Sequence, residues 1–144
     1  QAGRFEGSLG VKIAFDERLS RLIEAGSDFF LMPSRYEPSG LNQIYSLRYG
    51  TVPIVRATGG LDDTILDIED SPAAGNGFKF LPYNSDALAD CVERAVRFHR
   101  ERPEKWKKLL ERTLREDFSW ERSAERYLEV YCWASARRGG SKVT

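Results

Sequence analysis

The stretch FFLMPSRYEPSGLNQIYSLRYGTVPIVRATGGLDDTI, residues 29–65, decides the fold. It opens on a short apolar run that Pro33 ends and carries a second run, TVPIVRA, at residues 51–57. Between them, GLNQIYSLRYG reads as a helix, with Leu41, Ile44, Tyr45 and Leu47 on one face and Gly50 as its stop. After the second run, TGGLDDTILDIED turns and starts another short helix. Apolar strands alternating with helices indicate a parallel sheet covered on both faces.

The same alternation extends outward. Upstream, GVKIAF at residues 10–15 reads as a buried strand, and DERLSRLIEAG as a helix carrying Leu19, Leu22 and Ile23 at helical spacing before Gly26. Downstream, the turn-rich SPAAGNG leads to a strand in FKFLP. Three helices follow. SDALADCVERAVRFHRER takes Ser85 as N-cap. PEKWKKLLERTLRED begins on Pro103. SWERSAERYLEVYCWASARR has Asp117 and Glu121 near its positive end. The expected fold class is α/β, a Rossmann-like parallel sheet flanked by helices. One domain is expected over residues 1–136, with a flexible tail over 137–144. Four strands are few for a doubly wound domain, so the first strand–helix units are expected to be absent.

The totals narrow the function classes. A chain of 144 residues is about one domain. Lys+Arg and Asp+Glu stand at 22 each, which argues against the basic surface of a nucleic-acid binder. No apolar run approaches the ~20 residues that span a bilayer, so no membrane partner is expected. Cys91 and Cys132 lie far apart with a single histidine, His99, so a zinc site is not expected, nor any other metal. Two cysteines fit a reducing compartment. The opening QAGRFEGSLG is neither a signal peptide nor an initiator-Met start, so the chain is expected to belong to a longer one.

In a parallel sheet, ligands bind beyond the carboxyl ends of the strands, where helices begin. Two loops fall at such ends. The first carries Glu37, Ser39, Gly40 and Leu41; the second carries Thr58, Gly59 and Gly60. A helix N-terminus offers unpaired N–H groups and partial positive charge, which attract phosphate, and a glycine pair lets backbone approach it closely. Two such termini side by side can hold a diphosphate without a metal. Neither GxxxxGK[ST] nor GxGxxG is present. Plainer readings stand beside these. Gly59 and Gly60 can form a simple turn, Ser39 can be an N-cap, and Asp62 and Asp63 can serve the helix dipole. KWKK at 105–108 reads as a solvated helix face and His99 as a surface histidine. Trp106, Trp120, Tyr127, Tyr131 and Trp133 read as core by their spacing.

Taken as one block, residues 29–65 resemble the C-terminal nucleotide-binding domain of bacterial glycogen synthase and plant starch synthase, retaining glucosyltransferases of the GT-B fold. The resemblance begins at VKIAFDERLSRLIEAGSD, continues through GNGFKF, and ends in DFSWERSAERYLEVY. It implies extension of an α-1,4-glucan from ADP-glucose with retention of configuration, in the bacterial cytoplasm or the plastid stroma. It further implies that Glu37 faces the glucosyl unit, that Ser39, Gly40 and Leu41 meet sugar and phosphate, and that Thr58, Gly59 and Gly60 hold the diphosphate. Phe15, at the end of the first strand, would lie against adenine, and Tyr45 near the ribose. Ser39 stands where the family usually has cysteine. Glu37 is followed eight residues on by Tyr45 rather than by a second glutamate, which points away from the sucrose-synthase-like and mannosyltransferase-like group. A retaining glycosidase would need two carboxylates about 5 Å apart, and no acid has a spacing that pairs it with Glu37. The implied partners are ADP-glucose, the glucan and an N-terminal domain of the same enzyme that binds the acceptor; no cofactor is implied. The last helix, from Ser119, resembles the segment that returns toward that domain, which implies that Trp120, Tyr127 and Tyr131 are exposed here. Another retaining GT-B enzyme using UDP-glucose, or a non-catalytic glucan-binding or regulatory module of the same fold, remain the alternatives.

Overall fold

The computed structural model describes residues 2–139, with side chains from 3 to 137. A 3₁₀ turn, Ala2–Phe5, leads to α1 (Glu17–Ala25), β1 (Phe29–Met32), α2 (Asn42–Tyr49), β2 (Val52–Arg56) and α3 (Gly60–Thr64). Then come β3 (Phe78–Phe80), α4 (Ser85–Glu101), α5 (Pro103–Thr113) and α6 (Trp120–Gly139). The sheet runs β1-β2-β3 with every pair parallel. Among the described residues no helix is long and apolar enough to cross a membrane.

Alternation along β2 builds a core on each face. Val52 and Ile54 join Phe78, Phe80, Cys91, Ala95, Phe98, Trp106 and Leu109, packing the sheet against α4 and α5. Val55 turns the other way and joins Met32, Leu47, Leu61 and Ile65, under α2 and α3. Helix α2 ends where expected, on Gly50 at φ 75°, in the left-handed region that favours glycine.

Several expectations are corrected. Residues 10–15 form no strand. They are exposed coil, with Ile13 and Phe15 fully exposed at 97% and 101%, so the sheet has three strands rather than four. Apolar residues do not make a strand unless a neighbouring backbone takes up their N–H and C=O groups. Here the coil runs beside α1, making a groove floored by Phe30, and ends at Asp16, whose carboxylate accepts from Leu19 N–H at 2.9 Å and caps α1. The N-cap of α4 is Asn84, accepting from Ala87 N–H at 2.8 Å, and Ser85 is the first helical residue. His99 is half-buried rather than a free surface histidine; its ring lies 4.6 Å from Trp106 and 5.9 Å from Phe29, centroid to centroid. Trp106 is core, whereas Trp120, Tyr127, Tyr131 and Trp133 are more than half exposed; for Trp120, Tyr127 and Tyr131 this is the exposure that the resemblance implies, not the core position that their spacing suggests. Helix α6 continues through Gly139, into the expected tail, and residues 140–144 lie outside the described residues.

The far edge of the sheet is tied by charge. Buried Asp67 accepts from both Arg94 guanidinium nitrogens, at 2.9 and 3.0 Å, and from the N–H groups of Glu69 and Lys79 at 2.8 and 2.7 Å. Arg94 also donates to the Lys79 carbonyl at 2.8 Å, so α4 is pinned to β3. Burial alone would raise the Asp67 pKa, but Arg94 and the two amides together outweigh it and hold the carboxyl below the ordinary aspartate range. Removing Arg94 leaves a buried carboxylate unpaired. Arg94→Ala is expected to cost about 3–5 kcal/mol at neutral pH, measured by urea unfolding. Because the folded pKa of Asp67 is depressed, this contribution is full above its unfolded pKa and is lost as pH falls through the folded one. The stability gap between the two proteins should therefore narrow in acid.

Candidate functional site

Parallel pairing sets Met32 opposite Val55, which brings the loop after β1 (residues 33–41) beside the loop after β2 (57–59). The two loops touch backbone to backbone. Gly60 N–H donates to the carbonyls of Glu37 at 3.1 Å and Pro38 at 3.2 Å. A Cβ at Gly59 would fall on the Glu37 carbonyl, and one at Gly60 on the Ser39 carbonyl. Gly59 also has φ 49°, a conformation that L side chains rarely adopt. The glycine pair is therefore required by the meeting of two loops, beyond the simple turn that was its plainer reading.

That meeting decides which amides remain. Gly60 N–H is taken by the neighbouring loop. Among the described residues, Thr58 and Gly59 N–H have no hydrogen-bond partner, nor do Leu41, Asn42 and Gln43 N–H at the start of α2. The N-cap of α2 is Leu41, with no side-chain cap, so Ser39 does not cap it. Unpaired amides at two adjacent helix starts form a positively polarised rim. Glu37 lies in the first loop, half-buried, with its carbonyl at the loop junction; its carboxylate has no hydrogen bond or ion pair among the described residues.

Of the expected site residues, Glu37, Ser39, Gly40, Leu41, Thr58, Gly59 and Gly60 come together. Tyr45 lies on the first turn of α2, its N–H on the Leu41 carbonyl at 2.9 Å, with the Arg21 guanidinium 5.8 Å from its ring centroid. Phe15 is not at a strand end; it projects from exposed coil. Asp62 does more than serve the dipole, pairing with Lys79 Nζ at 2.6 Å. Among the described residues, no group of three His, Cys, Asp or Glu could hold a metal.

Sequence reading missed two supporting residues. Arg56, at the end of β2, donates to the carbonyls of Arg35 at 2.8 Å and Leu81 at 3.2 Å, anchoring the first loop. Gln43 is fully buried, and its amide reaches Ser39, Gly40 and Thr64. A charge closing an apolar strand, and a polar residue on the helix face shared with Ser46 and Leu47, were the available signals.

The chain belongs to the family of glycosyl transferases group 1, whose model matches residues 12–111. It is 55% identical over 132 residues to a glycogen synthase of Alkalilimnicola ehrlichii, covering 91% of this chain and 27% of that protein. It is 50% identical over 135 residues to a glycogen synthase of Moorella thermoacetica, covering 94% of this chain and 28% of that one. The catalytic domain of starch synthase IV from Arabidopsis thaliana, bound to ADP and acarbose, matches with a TM-score of 0.82 and 38% identity, over 94% of this chain and 28% of that chain. Sucrose-phosphate synthase from Thermosynechococcus elongatus matches with a TM-score of 0.57 and 27% identity, over 85% of this chain and 29% of that one. The chain thus spans little more than a quarter of the length of these relatives. Its Rossmann-like architecture is part of the C-terminal half of a GT-B fold.

The loop contact makes a direct prediction. Gly60→Ala should force the loops apart and cost about 1–3 kcal/mol or more, read by thermal unfolding, with faster hydrogen exchange at residue 60. Gly10→Ala, where no atom stands within 4 Å of the added Cβ, should change neither.

Proposed function

We propose that the chain supplies the donor half of a glycogen or starch synthase site, transferring glucose from ADP-glucose to the non-reducing end of an α-1,4-glucan with retention of configuration. The observation that carries this reading is the set of amides at residues 41–43, 58 and 59 that have no partner among the described residues, on two touching loops of which the first also carries Glu37. The relatives named glycogen synthase, and a structural neighbour bound to ADP and acarbose, support it.

The chemistry asked of such a rim is electrostatic. The bond from glucosyl C1 to the leaving diphosphate oxygen breaks and negative charge grows on the diphosphate. Preorganised amides stabilise that charge without reorganising. On the same face of the sugar, the acceptor hydroxyl oxygen bonds to C1, and its proton passes to the leaving phosphate. Glu37 orients the glucosyl hydroxyls and stabilises the oxocarbenium-like centre; it does not attack. Ser39, Gly40 and Leu41 meet the sugar and phosphate, Thr58, Gly59 and Gly60 the diphosphate, Tyr45 the ribose and Phe15 the adenine. Gly60 serves by shape, its N–H being engaged by the first loop. In this reading the transfer uses no metal and no cofactor, the acceptor glucan is held by the remainder of the polypeptide, and the enzyme works in a bacterial cytoplasm or a plastid stroma.

Titration with ADP and with UDP, followed by backbone amide shifts, tests the donor. Shifts for ADP clustered at Phe15, Gly40, Leu41, Thr58, Gly59 and Gly60 are expected. An equal response to UDP would move the donor to UDP-glucose, and no response to either by the full-length polypeptide would overturn the reading. In that polypeptide, Glu37→Ala should lower kcat by about 10²–10³, the scale for losing one transition-state-stabilising group, while ADP affinity stays nearly unchanged. Unchanged turnover would defeat the assignment. The 144-residue chain alone is expected to show no glucan extension.

A further inference from the structure

Gln43 is fully buried at the start of α2, and its side chain has no part in the transfer described above. Its Nε2 donates to the Ser39 carbonyl at 3.1 Å, to the Gly40 carbonyl at 3.1 Å and to Thr64 Oγ1 at 3.2 Å. The Thr64 hydroxyl in turn donates to the Gly60 carbonyl at 2.5 Å. Gly60 N–H returns to the Glu37 carbonyl at 3.1 Å. These bonds close a circuit through both loops. Gly60 is held at both ends of its backbone, and residues 37–40 are held at two carbonyls and by the glycine contact.

The circuit fixes which way the amide of Gln43 points, because its oxygen turned inward would face two carbonyl oxygens. The other end, Oε1, is buried with no hydrogen-bond partner among the described residues. It would stand 2.5 Å from a Cβ at Gly40, so that glycine, at φ 72°, makes room for it. A buried unpaired oxygen is costly, and an apolar side chain of similar volume would remove that cost. An arrangement that breaks a local rule at the junction of two site loops points to function rather than stability.

We propose that Gln43 is a positioning residue for the transfer, with Thr64 as its relay. Through the Ser39 and Gly40 carbonyls it sets Glu37 and the Leu41 amide in the same frame as the amides of Thr58 and Gly59. The glucosyl centre and the leaving diphosphate are thereby held in one geometry. The inference rests on the reading of this site as a sugar-nucleotide site.

The test uses the full-length polypeptide carrying this chain. Gln43→Met keeps the volume and removes the donor. It should fold, bind ADP within about threefold of the unsubstituted enzyme, and lose about 10²-fold in kcat, the scale for a misplacement of about 1 Å. Thr64→Val should act in the same direction, the double variant should be no worse than the worse single one, and Thr64→Ser should restore turnover. Gln43→Glu adds a pH readout. A carboxyl buried among carbonyl oxygens has its pKa raised; protonated it donates as the amide does, and ionised it repels both carbonyls. Its kcat relative to the unsubstituted enzyme should fall as pH rises, which a purely space-filling role would not produce. If Gln43→Met does not fold, Thr64→Val and Gln43→Glu decide alone. A kcat within twofold of the unsubstituted enzyme in the folded variants, or a loss shared equally by ADP affinity, overturns the proposal. Glu37→Ala separates the two failures. If it lowers kcat and Gln43→Met does not, positioning fails alone; if it leaves kcat unchanged, the site reading fails first.

Discussion

The contact between Gly60 N–H and the carbonyls of Glu37 and Pro38 is the constraint on which the site depends. It requires two adjacent parallel strands in a register that ends them together, which β1 and β2 provide. It also requires that no side chain stand between the loops, which Gly59 and Gly60 provide. With either condition removed, Glu37 and the second loop would belong to separate surfaces. The sheet face packed by Val55, Leu47 and Leu61 keeps α2 and α3 close enough for the contact to form.

The same contact sorts the backbone donors. A glycine-rich turn invites the expectation that every amide in it awaits a ligand, but a donor already bonded to a carbonyl is not free for phosphate. Gly60 is therefore structural in its N–H and permissive in its missing Cβ. The donors left over, at residues 41–43, 58 and 59, lie on both sides of the junction. The Glu37 carboxylate, carried on the first of these loops, has no ion pair among the described residues. Donors on two touching loops, one of which also carries an unpaired acid, suit a ligand carrying both hydroxyls and negative charge.

Much of the fold was legible because strand, helix and turn signals agreed over residues 29–65. Pro33 closed one strand, Gly50 stopped a helix in the left-handed conformation that only glycine takes readily, and the continuous apolar run in VPIV marked a strand buried on both faces. The signals failed where a neighbour decides. The apolar residues in GVKIAF suggest a strand, but without a paired backbone they remain coil. Ser85 and Asn84 are both good caps, and only dihedral geometry selects Asn84. Helical spacing of aromatics says that they share a face and not that anything covers it, hence core for Trp106 and exposure for Tyr127 and Tyr131. The loop residues bearing Glu37 could be found in sequence because helix starts and glycines announce them. For Gln43 the sequence offered only a polar residue on an apolar helix face, and its link to Thr64 was not legible, because it is a bond between segments 21 residues apart.

Position 39 shows how backbone and side chain divide the work. The resemblance to glycogen and starch synthases places Ser39 where a cysteine is usual, which puts any role for sulfur in question. In the structure the Ser39 side chain is exposed, while its carbonyl accepts from Gln43 and lies directly against Gly60. The carbonyl is common to serine and cysteine, so the exchange leaves the loop junction intact. A residue whose duty is carried by its main chain tolerates a change of side chain, provided the replacement is small and the local conformation is kept. Glu37 is the opposite case: its carbonyl holds the second loop, and its free carboxylate is the part that glutamine or alanine would remove. The loop thus keeps its shape through main-chain bonds shared by residues 37–40 and presents a single acidic side chain.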